Sequence, residues 1–278
     1  MTTRPSTPPG FAYAALRIFD LSLGEMLWSR RTVFMGLIVG LPVLIAAVVR
    51  LLHAVGAPGL RLDDPGADGP VVFGMMIWIF FVRFSVPVLG VFYGTSLIAD
   101  EVDDKTITYL FTRPIPRSAV LLGKYLAYLV CTTLLVLPSV MLVYFLVVPL
   151  GGTIGEGFPS LLKDLGMLAL GLAAYGAVFA WVGAAWKRPL VIGLVFCFGW
   201  EPAVLLFPGY LKRLTVAYYI QALVPHAMPQ DSAVSMLMQV FHEVPAVPVS
   251  LAALAAITVL GLWAAGRAVE NREYVLEQ

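Results

Sequence analysis

The chain has 278 residues, of which 60% are hydrophobic and only 13% charged, where an ordinary soluble domain holds about 45–50% apolar and about 25% charged residues. A mean hydropathy of +0.88 is more apolar surface than a globule of this size can hide, which excludes a soluble enzyme. The net charge of +1 leaves no basic excess for gripping nucleic acid, and the two cysteines, Cys131 and Cys197, lie in apolar runs that exclude a disulfide framework.

The composition predicts an all-α integral membrane protein, and the elements follow in chain order. Residues 1–10, MTTRPSTPPG, read as a disordered tail, and residues 11–278 as a single six-span domain. Phe11–Trp28 sets apolar Phe11, Ala14, Ala15, Ile18 and Leu21 against polar Arg17, Asp20 and Glu25, the pattern of an amphipathic helix lying along the membrane interface. Six apolar stretches are long enough to cross the hydrocarbon as helices: Val33–Val55, Val71–Ala99, Ala119–Leu150, Leu161–Ala185, Leu190–Phe207 and Val247–Arg267. They are apolar all round, without the alternation of a transmembrane barrel. Between the last two, Gly209–Pro245 is half apolar and predicts short external or re-entrant helices.

Basic residues set the expected orientation. With the N-terminus in the cytoplasm, twelve of the 18 Lys and Arg lie inside and five outside (Arg50, Arg61, Lys163, Lys212 and Arg213), with Arg83 left within a span. Both termini of a multi-pass protein of the cytoplasmic membrane are then cytoplasmic.

The segment joining the second and third spans carries the most chemistry. Asp100, Glu101, Asp103 and Asp104 suit a helix N-terminus. Ile107, Leu110 and Phe111 then fall on one face at helical spacing. Arg113-Pro114-Ile115-Pro116 ends that helix, since each proline disfavours helix in the residue before it, and a new helix starts near Ser118. A cytosolic helix with an apolar stripe is suited to docking on another protein. A solvated loop whose charges obey topology fits the same composition.

Other constellations are weaker. No G-x-x-x-x-G-K-[ST] loop is present, because Gly123-Lys124 lacks both the preceding glycine and the following hydroxyl. His53, His226 and His242 share no metal-ligand spacing, and Met236 and Met238 beside them suit an apolar helix face better than soft copper. No metal is expected. Gly36 with Gly40, and Gly90 with Gly94, permit close helix approach, either within the chain or in a dimer. Arg83 and Glu201 are the only charges placed near mid-membrane, about 22 and 16 Å from the inner ends of their spans. A lone charge there is costly, so a buried Arg83–Glu201 ion pair is predicted.

The run Ile98–Ala127, with its acidic helix and "YLFTRPIPRSAVLLGKYLA", resembles the junction between the second and third spans of the type-2 permease family of ATP-binding-cassette (ABC) exporters. The family pattern there is E-x-G-T-L-x-x-L-L-x-x-P-I-S-R-x-x-I-L-x-G-K. Pro114, Arg117, Gly123 and Lys124 fall where it expects them, and Lys105-Thr106-Ile107-Thr108-Tyr109-Leu110 replaces its Gly-Thr-Leu run. The resemblance implies a coupling helix seated in a cleft of a separate ATPase subunit. Asp100, Glu101, Asp103, Asp104, Ile107, Leu110, Phe111, Arg113 and Arg117 are then its contact residues. It further implies two permeases, as a homodimer or paired with a related chain, acting with two ATPase subunits. ATP and magnesium would bind in those partners, and this chain would hold no cofactor and perform no catalysis. An ion-coupled secondary transporter is the alternative; it would need several membrane-buried charges along a path.

Overall fold

The computed structural model of the chain describes residues 10–56, 68–103, 116–206, 210–225 and 245–271, with side chains for all of these except 101–103, 205, 206 and 210. The regular elements among them are all helical. Helix α1 spans Phe11–Leu27 and α2 spans Arg30–Ala54. Ser29 separates them, its Oγ accepting the Thr32 amide at 3.1 Å, which satisfies one of the amides a helix start leaves open. Two residues beyond the end of α2, Gly56 has φ 67°, a left-handed value that glycine adopts without a Cβ penalty.

The second apolar run is one continuous helical path of changing pitch. It consists of α3 (Gly69–Met76), a π-helical stretch Ile77–Ser85, α4 (Val86–Leu89), a second π stretch Gly90–Gly94, and α5 (Ser96–Asp103). α6 (Arg117–Val147) and α7 (Ile154–Ala185) follow as long straight runs. Then come α8 (Pro189–Val195), a third π stretch Phe196–Trp200, α9 (Glu201–Leu206), a 3-10 turn Tyr210–Leu214, α10 (Val216–Gln221) and α11 (Val247–Asn271).

Two of the three π stretches lead into a proline. In a regular α-helix the ring of Pro87 would meet the carbonyl of Arg83, and that of Pro202 the carbonyl of Phe198. Widening the preceding turns to i→i+5 spacing removes both clashes without breaking the helix.

Among the described residues, five helical runs are long and apolar enough to cross a membrane: Arg30–Ala54, Gly69–Asp100, Arg117–Val147, Ile154–Ala185 and Val247–Asn271. The sixth expected span is a shorter apolar helix, Pro189–Val204. Its helical path continues through Leu206, where that described stretch ends. The expected N-terminal helix is present as α1, and two short helices, Tyr210–Leu214 and Val216–Gln221, precede the last long one.

α7 is the hub of the bundle. Its apolar window is 61% buried, against 28% for α2 and 11% for α11, so neighbours surround α7 while α2 and α11 keep broad apolar faces for lipid or another subunit. Small residues let those neighbours approach. A Cβ on Gly176 would sit 2.0 Å from the Tyr128 ring of α6, and one on Gly183 would sit 2.3 Å from the Thr95 carbonyl oxygen. Gly90 and Gly94 also serve packing within the chain, against Tyr175 and Phe179, whereas Gly36 and Gly40 meet no close neighbour among the described residues. Tyrosine hydroxyls pin the same surfaces. Tyr125 and Tyr128 of α6 donate to the Ala173 and Leu172 carbonyls of α7 at 2.8 and 2.7 Å, using carbonyl lone pairs left over from the helix ladder.

Contacts between helix ends sort the bundle into two poles. At one, Arg31 meets Asp100, Gly183 meets Thr95, and Arg117 meets the end of α11. At the other, Arg50 donates to the Leu146 carbonyl at 3.0 Å and the Gly69 amide to that of Leu150 at 3.1 Å. The long runs therefore alternate in direction.

Candidate functional site

The flanks of the junction between the second and third spans lie at the first pole. Residues 104–115 fall outside the described residues, which puts Asp104, Ile107, Leu110, Phe111 and Arg113 beyond structural account; the side chains of Glu101 and Asp103 do as well, although their backbone continues α5. His226, His242, Met236 and Met238 also lie outside the described residues.

The two ends of the junction are tied into the bundle by charges. The Arg31 guanidinium, in the first turn of α2, donates to Asp100 at 3.0 Å through Nη1 and at 3.5 Å through Nη2. Asp100 therefore braces the first span against the second within the chain. Arg117, in the first turn of α6, donates through Nη1 to the Val269 and Glu270 carbonyls at 3.3 and 3.4 Å. These contacts tie the start of α6 to α11.

The glycine of the Gly123-Lys124 pair has a packing role. A Cβ there would stand 2.6 Å from the Ala15 carbonyl oxygen and 2.9 Å from the Ile18 Cβ. α1 thus lies directly on the start of α6, beside the junction. Its contact residues Ala14, Ala15 and Ile18 are buried, while Phe11, Tyr13, Leu16 and Leu21 are exposed. α1 carries two apolar faces, one against α6 and one outward.

The second candidate site differs from its expectation. Arg83 and Glu201 form no ion pair: each is engaged elsewhere. Glu201 is 3% exposed. Its Oε2 accepts the Tyr175 hydroxyl, and its Oε1 accepts the Val216 and Ala217 amides at 3.1 and 3.4 Å. Those amides belong to the first turn of α10, so the carboxylate caps a short helix that folds back onto the fifth apolar run. The Arg83 guanidinium instead lies 5.1 Å from the centroid of the Trp78 ring, in cation–π contact. The two charges remain within electrostatic reach of each other without touching. Counting residues from the span ends predicted only that the two charges would meet. It missed the capping role because the partners of Glu201 come from the half-apolar segment, whose fold has no periodic signature, and from a tyrosine indistinguishable in sequence from its neighbours.

Residues 12–265 match the family model described as ABC-2 family transporter protein. No curated protein matches the chain.

Proposed function

The chain belongs to the ABC-2 transporter family, and from that premise we propose that it is the permease subunit of an exporter driven by ATP hydrolysis in a separate ATPase subunit. Family membership and the long apolar helices make it a multi-pass membrane protein of the transport class, a component that is generally non-enzymatic. The observation that carries the finer reading is the bracing of the junction at both ends. The Arg31–Asp100 pair ties the preceding flank, α5, to α2, and the Arg117 contacts tie the following flank, α6, to α11. Movement imposed there by a partner would reach α2, α6 and α11 together rather than being absorbed by a slack loop.

On this reading residues 100–113 hold the ATPase contact, with the acids at the helix start and Ile107, Leu110 and Phe111 as the apolar face. ATP and its magnesium ion bind the partner. The basic pole is cytoplasmic, both termini lie there, and two permeases form the membrane unit. α7, whose apolar window is more buried than those of α2 and α11, is the frame within each permease; the incompletely covered α2, α8 and α11 are left to meet lipid or the second copy. Charge reversal at Asp103 and Asp104, or Leu110→Arg, should leave the chain inserted in the membrane but lower recovery of its ATPase by more than tenfold in co-purification. Undiminished binding and transport in these variants would remove the segment as the contact.

A further inference from the structure

At the basic pole a cleft of about 480 Å³ opens between the start of α2, the end of the second apolar run and the tight turn before α8. Its polar wall carries Arg31, Lys187 and Arg188, and its apolar wall carries Phe34 and Val191. Asp100 is the carboxylate at the cleft, and it is already engaged by Arg31 at 3.0 Å. Lys187 and Arg188 make no ion pair among the described residues. Among the described residues the cleft therefore holds a cationic surplus from two separate elements.

The two walls are in register with depth. Arg31 and Phe34 are three residues apart on α2; Arg188, at the cap of α8, and Val191 are separated by the same interval. On α2 that spacing puts the two on one helix face, displaced by about 4.5 Å along the axis, and Arg188 immediately precedes the first turn of α8, which holds Val191. Each element thus places a cation at the boundary and an apolar side chain one turn deeper. Phe34 and Val191 are 56% and 57% exposed, so the apolar wall faces outward, where hydrocarbon would lie. A free anion would need no such wall, and an apolar solute would have no use for the cations.

We propose that this cleft binds the phosphate headgroup of an anionic membrane phospholipid, with its acyl chains running down past Phe34 and Val191. The guanidinium and ammonium groups satisfy the phosphate oxygens. Because Arg31 also holds Asp100, a bound headgroup would abut the brace of the coupling junction. The inference goes beyond the transport reading and requires only that a bilayer surround the chain, so loss of the ATPase assignment would leave it standing.

The test is thermal unfolding of the full-length protein in detergent, titrated separately with dihexanoyl phosphatidylglycerol, dihexanoyl phosphatidylcholine and inorganic phosphate. A ligand that binds the folded state raises the midpoint as its concentration passes the dissociation constant. Phosphatidylglycerol should raise the midpoint at concentrations where the other two do not. Lys187→Ala with Arg188→Ala should weaken its apparent affinity by about thirtyfold, the effect of two interfacial cations. Lys163→Ala, at the opposite pole, should leave it unchanged. If the double variant does not fold, Arg188→Gln and Phe34→Ser are measured singly, and each should weaken the phosphatidylglycerol response. An equal response to phosphatidylcholine, a full response to phosphate alone, or unchanged affinity in the cleft variants would overturn the proposal.

Discussion

Glu201 shows how a buried charge is held without a direct ion pair. A carboxylate taken from water is tolerated when its oxygens are filled, and here a phenol and two backbone amides fill them. Arg83 uses a different device, an aromatic face at 5.1 Å. The thermodynamic consequence distinguishes this arrangement from an ion pair. Glu201→Ala leaves the Tyr175 hydroxyl and the first turn of α10 unsatisfied, and should destabilise the protein by about 2–3 kcal/mol. A double-mutant cycle in thermal or denaturant unfolding should give a coupling of about 1 kcal/mol or more between Glu201→Ala and Tyr175→Phe, and a smaller one between Glu201→Ala and Arg83→Met. The reverse order would restore the direct pair.

Among the elements, α7 sets the packing through what it lacks. Gly176 has the Tyr128 ring against its Cα, and that ring's hydroxyl bonds the Leu172 carbonyl one turn earlier on α7. Gly176→Val should therefore cost about 1–3 kcal/mol by overpacking. Adding Tyr128→Leu should recover part of that loss, although Tyr128→Leu alone also sacrifices a hydrogen bond. Unfolding midpoints of the two single variants and the double variant in detergent check this, and strict additivity would mean that the two helices separate more easily than their contact implies. The close-approach role of Gly90 and Gly94 was legible from spacing, because small residues four apart form a flat ridge on any helix. Gly123 was legible only as part of a resemblance, since its partners, Ala15 and Ile18, lie on α1, remote in the chain. The π stretches had no sequence signal beyond Pro87 and Pro202, as period counting assumes a constant turn.

Across the whole molecule, two poles and an alternating helix path connect the basic side with the junction expected to meet an ATPase. Composition alone established the membrane class, because no soluble core can absorb this much apolar surface. The same apolar uniformity concealed which faces pack and which remain open, and only the structure separates the buried α7 from the uncovered α2 and α11. The rival reading, an ion-coupled carrier, needs charged residues aligned along a path. Of the two charges expected at mid-membrane, one caps a helix and the other rests on an indole ring, neither of which lays out such a path. The central claim is that the energy for transport comes from a separate subunit. The most direct measurement is ATP hydrolysis in proteoliposomes containing the chain purified from its native membrane together with whatever ATPase accompanies it, compared with that ATPase alone. The account predicts a stoichiometric ATPase whose hydrolysis rate changes at least severalfold when the chain is present and reverts with Asp103 and Asp104 reversed. A chain that purifies without any ATP-hydrolysing subunit, yet moves substrate in response to an imposed ion gradient, would contradict it.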